Sequence, residues 1–394
     1  MNRPLDSELE VTFNEGTQRI RTPEETLLYI KPKLPACGIT RVPDITQLDK
    51  IGIPTCCAIR PTASVLQVSN GKGASKAAAQ VSALMESIEL FHAEDSQPFE
   101  LTFDSAQALE TENDLVDHSM TQSFRGDVYY AKSMKMHWFK GVNALSQQPI
   151  YIPASAIFFN QQPAVHRPTT NGLASGNHLT EASIHALYEL IERDAGSRLS
   201  SSGKINIANA GEVIDISSVT SQEIKHLVHL MGSTSKVILC FVRSAIDVYT
   251  FWAILLNKGS LSALTTLNIG WGTHRNKDIA ASRALTEAAQ SRLTSIHGAR
   301  EDIVAQAGYN NSNVRDSAAF RFFDQLKTTC DWNNLPEYTQ ASTTNLMEEW
   351  IFLLTALKAK GHSDIYQFDL TRKDIEIPVV KLIVPSLNFN EKMF

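Results

Sequence analysis

Two hydrophobic rhythms alternate along this chain. Runs rich in β-branched and aromatic residues, the pattern of strands, fall at Val128–Ala131, Pro149–Ile152, Lys236–Arg243, Val248–Leu256 and Pro378–Val384. Between them lie segments with apolar residues three and four apart, which predict helices over Glu24–Leu34, Ser75–Glu94, Thr180–Asp194, Asp278–Thr294 and Thr344–Lys360. Polar stretches at Gln161–Asn171, Ser200–Gly203 and Asn310–Ser317 are expected to be loops or unit boundaries. The fold class is therefore α/β in the broad sense, mixed α+β included.

Within this pattern the chain echoes itself. The segment GASKAAAQVSALMESIEL starts at Gly73 and GNHLTEASIHALYELIER at Gly176; aligned without gaps they agree at Ala79/Ala182, Ala83/Ala186, Leu84/Leu187, Glu86/Glu189, Ile88/Ile191 and Glu89/Glu192. A third segment, ASRALTEAAQSRL, puts Ala284, Leu285, Glu287 and Gln290 in the same relative places. The copies lie about a hundred residues apart, too far for a solenoid repeat. Related α/β units would give this pattern.

The repeated acids suggest chemistry. Positions i and i+3 share a helix face, so Glu86 pairs with Glu89 and Glu189 with Glu192. Their neighbours, Val81, Leu84, Met85 and Ile88 in one helix and Ile184, Leu187, Leu190 and Ile191 in the other, are apolar. A desolvated pair of carboxylates is costly unless cations neutralise it. Oxygen-only donors suit hard ions, and Mg²⁺ combines one or two carboxylates with substrate phosphates. Solvated helix faces balanced by Arg193 are the plainer alternative.

Asn70-Gly71-Lys72-Gly73 resembles a phosphate-gripping turn but lacks P-loop spacing; a glycine turn entering a helix is the alternative. Ala174-Ser175-Gly176-Asn177 enters the second acidic helix, whose free N–H groups suit phosphate. Ser175, Asn177 or Thr180 could equally cap that helix. His178 and His185 have no histidine or cysteine partners at zinc spacing.

Bulk properties narrow the classes. The 394 residues are 43% hydrophobic and 20% charged, with net charge −6 from 36 basic and 42 acidic side chains. That balance argues against nonspecific nucleic-acid binding. Five cysteines without a CxxC pair argue against disulfides or structural zinc and suit a reducing cytoplasm. Cys56 and Cys57 are expected in a strand, facing opposite ways. No signal peptide or membrane span is expected.

The same motifs resemble a known family. NGKGASKAAAQVSALMESIE is similar to the YcaO signature S-x3-E-x2-E, carried here by Ser82, Glu86 and Glu89. ASGNHLTEASIHALYELIERDA resembles the second family element through Asn177, Glu181, Glu189, Glu192 and Arg193. SRALTEAAQSR resembles the third through Arg283, Glu287 and Gln290, and DLTRKDIEIPVVKLIVPSL resembles the closing strand. The likeness implies a YcaO-type fold of related units, with acidic helices around a central nucleotide site. A segment 1–60 would contribute nucleotide contacts and 61–394 would form the catalytic domain.

ATP and Mg²⁺ are the implied cofactors. Glu86, Glu89, Glu189 and Glu192 would hold the metal. Arg19, Thr26, Lys72, Ser82, Ser175, Asn177, Glu181, Arg193, Arg283, Glu287 and Gln290 would contact ATP, with Arg193 and Arg283 catalytic. The family phosphorylates a backbone amide oxygen after a nucleophile attacks its carbon, leaving an azoline, a thioamide or an amidine.

Leu90 stands where the signature often has Arg, and the tail NFNEKMF lacks alternating prolines. Together with GITRVPDITQLDKIGIP, these features resemble the branch that makes thioamides with a TfuA-like partner. The expected substrate is a peptide or protein, and a homodimer is implied by the family. Azoline-forming cyclodehydratase and idle peptide-binding scaffold are the alternatives.

Overall fold

A computed structural model describes residues 9–13, 15–121, 123–201, 204–207, 211–257, 259, 263–300, 318–338 and 344–390. Its principal elements in chain order begin with α1 (Pro23–Ile30), β1 (Thr55–Ile59), β2 (Val68–Lys72), α2 (Lys76–Glu94) and β3 (Leu101–Ser105). Next come β4 (Lys135–Asn143), β5 (Pro149–Pro153), β6 (Leu173–Ser175), α3 (Leu179–Arg198), β7 (Gly211–Asp215) and α4 (Gln222–Gly232). They continue with β8 (Lys236–Arg243), β9 (Tyr249–Leu256), β10 (Leu267–His274) and α5 (Lys277–His297). The last are β11 (Cys330–Asp331), α6 (Leu346–Ala359), β12 (Tyr366–Asp369) and β13 (Val379–Ile383).

β1 and β2 form an antiparallel hairpin. A second sheet runs β10-β9-β8-β7-β11, antiparallel except where β11 meets β7. The third is antiparallel in the order β3-β4-β12-β13-β6, with β5 added to β4.

Each echoed helix follows a strand and lies back on it: α2 on β1 and β2, α3 on β6 and β13, α5 on β9 and β10. The alanines of the echo are the contact surface. A Cβ on Gly71 would sit 2.0 Å from the Ala83 nitrogen, and one on Gly270 2.2 Å from that of Ala288. Only glycine in the strand lets the backbones come this close. The repeated sequence is thus a repeated way of pressing an acidic helix onto a sheet.

Their apolar residues fill separate cores. Ala83, Leu84 and Ile88 join Phe139 and Phe368, while Leu187 and Ile191 join Leu353 and Leu382. Ala284 and Leu285 join Phe251 and Trp332. Cys56 and Cys57 are both buried, one against Ile88's cluster and the other against Ile45, Val68 and Leu293, which is the opposite-face arrangement expected.

The prediction of helices holds in all five segments, with ends shifted. The first stops being α-helical at Ile30 and continues as a 3₁₀ turn through Lys33, since Pro32 has no N–H to donate. Val128–Ala131 is not a strand; it is irregular backbone. Ser200–Ser201 pairs with Lys204–Ile205 where a loop was expected. Ser202, Gly203 and Asn310–Ser317 lie outside the described residues. Among the described residues no helix is long and apolar enough to cross a membrane.

Candidate functional site

The N-termini of the three echoed helices are fixed by side chains. Ser75 accepts from the Ala78 N–H (3.1 Å), and Asn276 from those of Asp278 and Ile279. On α3 the cap is His178, whose Nδ1 accepts from the Thr180 N–H at 3.1 Å. Two of the three alternative caps for α3 are used elsewhere: Ser175 donates its N–H and hydroxyl to Glu89 Oε1 (2.8 and 2.6 Å). Asn177 donates its N–H and amide to Glu181 Oε1, both at 3.0 Å.

So anchored, the helices turn their acids into one cavity of about 310 Å³. Its wall contains Glu86 and Glu89 from α2, Glu181, Glu189, Glu192 and Arg193 from α3, and Arg283, Glu287 and Gln290 from α5. Lys72, Ser82, Ser175, Asn177, Arg19 and Thr26 complete the set. Every site residue singled out in the sequence therefore lines the same space. Asn70, Gly71 and Lys72 are strand, not a phosphate-gripping turn. Lys72 still reaches the cavity, its ammonium 2.6 Å from Glu287 Oε2.

Residues 13, 15–17, 19 and 21 line the cavity's remaining side. Phe13 pairs with Arg19 as a β-bridge, and the Ile20 N–H donates to Glu181 Oε2 at 3.0 Å. Arg19 lies 3.7 Å from Glu181 Oε1, and Thr26 donates to Asn177 Oδ1 at 3.0 Å. Glu181 therefore serves as a clasp, both its oxygens engaged by protein donors.

The electrostatics are those of crowded acids. Burial, then Glu86 and Glu189 against the counter-pull of the Ser175 hydrogen bonds, pushes Glu89 up to about 8. Burial also raises Glu189 and Glu192, and Glu287 adds to the latter. Glu287 goes the other way: burial would raise it, but Lys72 and Arg193 outweigh that and hold it down. Arg193 stands 3.8 Å from Glu189, and Arg283 Nε is buried without a hydrogen-bond partner.

Among the described residues no three histidine, cysteine or acidic side chains meet at one metal point. The carboxylates of the cavity suit Mg²⁺, which takes one or two such ligands and completes its shell with phosphate and water. The donor set is all oxygen, its carboxyls are raised first by burial and then by one another, and Lys72, Arg193 and Arg283 line the same cavity.

His185, weighed in the sequence only as a zinc ligand, is among the further residues that line the cavity. It follows Glu181 and precedes Glu189 by one turn each, on the same stripe of α3. Burial, with Arg283, Arg19 and Lys72 adding, holds its imidazole well below its ordinary range, hence neutral. Its spacing from the two glutamates was the available signal.

Comparison with known proteins decides the family. Residues 70–388 match the model of the YcaO cyclodehydratase family, ATP- and Mg²⁺-binding. The chain belongs to the YcaO family. An uncharacterized protein of Mycobacterium tuberculosis (strain CDC 1551 / Oshkosh) is 34% identical over 391 residues, covering 96% of this chain and 84% of its own. An uncharacterized protein in the tfuA 3′ region of Rhizobium leguminosarum bv. trifolii is 30% identical over 392 residues, covering 94% and 88%. Among solved structures, YcaO from Methanopyrus kandleri, bound with AMPPCP and Mg²⁺, superposes with a TM-score of 0.76 at 21% identity, over 96% of this chain and 95% of that one. This YcaO chain is thus an ATP-dependent enzyme that binds ATP and Mg²⁺.

Proposed function

We propose that this YcaO protein uses Mg-ATP to phosphorylate a backbone amide oxygen in a peptide or protein, and that the product is a thioamide formed with a TfuA-like sulfur-delivery partner. The carrying observation is that three equivalent helices turn Glu86, Glu89, Glu189, Glu192 and Glu287 into one cavity beside Lys72, Arg193 and Arg283. Glu86, Glu89, Glu189 and Glu192 would hold Mg²⁺, which neutralises phosphate charge when bound.

An amide oxygen is a poor leaving group, and a phosphate is a good one. Sulfide first bonds to the amide carbon, and the electrons of the C=O move onto oxygen. That oxygen bonds to the γ-phosphorus as ADP departs. The C–O bond then breaks, phosphate taking the electron pair, while sulfur closes C=S and gives up its proton. Lys72, Arg193 and Arg283 supply fixed positive charge where the transferring phosphoryl group becomes most negative, a preorganisation that needs no rearrangement during the step. Thr26, Asn177 and Arg19 would also contact the nucleotide, beside the clasp at Glu181.

Support for the sulfur branch comes from Leu90 in the signature and from the relative in a tfuA 3′ region. The family's description as cyclodehydratases favours a second reading, azoline formation by a Cys, Ser or Thr side chain. Mass spectrometry of candidate peptides incubated with the protein, its partner, sulfide and Mg-ATP separates them. Thioamidation makes the peptide heavier by the difference between sulfur and oxygen. A product lighter by one water rejects thioamidation. A homodimer is part of the proposal and is checked by light scattering.

A further inference from the structure

The acidic stripe covers only one side of α3. On the adjacent side a second cavity, of about 250 Å³, opens beside Leu190, the residue after Glu189. It lies where the pairing of β13 with β6 ends. β13 is paired to β6 as far as Lys381, which faces Leu173, and the Leu382 N–H still donates to the Gly172 carbonyl at 2.8 Å; past that bond the chain leaves this neighbour. The following residues then cross to α3, where Asn388 donates its N–H and amide to Asp194 Oδ1 at 2.9 and 3.0 Å. The Asn390 N–H donates to the Ser197 hydroxyl at 2.8 Å. The space between this tail and residues 121, 123–127 and 167–171 is the cavity.

Its lining has a definite chemistry. Arg125, Arg167 and Lys381 bring three positive charges against one carboxylate, Asp127, which Arg125 already meets at 3.1 Å. Lys381 is 4% exposed and donates to the carbonyls of Thr169 (2.5 Å) and Asn171 (2.7 Å). An ammonium has three N–H donors, so one remains. Burial, against the pull of Glu189, brings Lys381 down to about 8, a sign of how far it is removed from water. Asn171 Oδ1 is also buried, with no hydrogen-bond partner. Phe124 and Phe389 supply apolar surface. The space is smaller than the roughly 300–1,000 Å³ of drug-sized pockets and suits a short segment of a longer chain.

We propose that this second cavity docks an acidic, partly apolar segment of the peptide substrate, one helix face away from the nucleotide site. The carboxylate meets Arg167, Arg125 and the spare Lys381 N–H, a peptide N–H meets Asn171 Oδ1, and an apolar neighbour lies on Phe124 and Phe389. The assignment rests on the reading that the chain acts on peptides. It adds where the substrate is gripped and which charge it carries there.

The test uses the full chain and a fluorescein-labelled peptide, Leu-Glu-Leu-Gly-Gly, against its Gln counterpart, followed by anisotropy. The Glu peptide should bind at least about tenfold tighter, and Arg125→Ala with Arg167→Ala should erase that preference. Calorimetry of the same double variant should give the wild-type affinity for Mg-ATP. Both arginines lie toward the surface, so the fold should survive their loss. Equal binding of the two peptides, or a preference that persists in the double variant, overturns the proposal. Displacement of the Glu peptide by an equal concentration of inorganic phosphate also overturns it, marking a general anion hole. Absence of Mg-ATP binding by the wild type would instead strike the nucleotide reading, and the peptide titration without nucleotide still decides this one.

Discussion

Glu89→Gln should stabilise the metal-free protein at alkaline pH while destroying its activity. The carboxyl of Glu89 is pushed from an ordinary 4.5 up to about 8 by burial, with Glu86 and Glu189 adding. The sign follows from proton counts. Between those two values the folded protein holds a proton that the unfolded chain has released, so stability falls as pH rises through the window. The span is 8 − 4.5 = 3.5 units, and about 1.36 kcal/mol per unit sets a ceiling of roughly 5 kcal/mol. Water in the open cavity screens the charge, so the expected gain is about 1–3 kcal/mol. Glutamine has the same shape, and its Oε1 can still accept from the Ser175 N–H and hydroxyl that now reach Glu89. Urea unfolding with a chelator, at about pH 4 and about pH 8.5, reads the difference. The variant should match wild type in acid and exceed it in base, with Mg-ATP turnover lost. A variant no more stable than wild type at the higher pH would refute the claim that this carboxylate is strained until a cation arrives.

Two further outcomes test other parts of the molecule. Lys72→Met removes the ammonium 2.6 Å from Glu287 and should lower kcat/KM for ATP by about a hundredfold, or ~2.7 kcal/mol; an unchanged kcat/KM removes Lys72 from the nucleotide contacts. Arg60→Ala removes the guanidinium that gives Glu94 two hydrogen bonds of 2.5 and 2.6 Å in a buried pair, leaving the carboxylate only the Ser64 and Val65 N–H groups, and should cost about 3–5 kcal/mol in urea unfolding. A loss below about 0.5 kcal/mol would mean water replaces the arginine.

The acidic helices were readable because their function and packing use the same register. Alanines every third or fourth residue mark the face pressed on a sheet, and the glutamates stand out beside them. The strands beneath were harder. β10 contains Gly270 and Gly272, which weaken any strand pattern but are what allow α5 to lie so close. β6 is only three residues long, and its place depends on β13, some two hundred residues later. Val128–Ala131 has strand-like residues, yet they serve a loop whose Val128 and Tyr130 pack on Trp138 and Val165. The cap on α3 was misplaced among Ser175, Asn177 and Thr180 because these are the common capping residues. His178 takes the role once Glu89 and Glu181 claim its neighbours.

Both ends of the described chain come to rest on α3. Leu9 packs in the cluster that holds Leu187 and Ile191, and the Ile20 N–H reaches Glu181 at the first turn. At the last turns, Asn388 and Asn390 hold Asp194 and Ser197. A single helix is therefore tethered at each tip by a different terminus. Loosening either tether would tilt the rod that carries Glu189 and Glu192, so a change at Asn388 or Asn390 would be felt among the acids of the cavity.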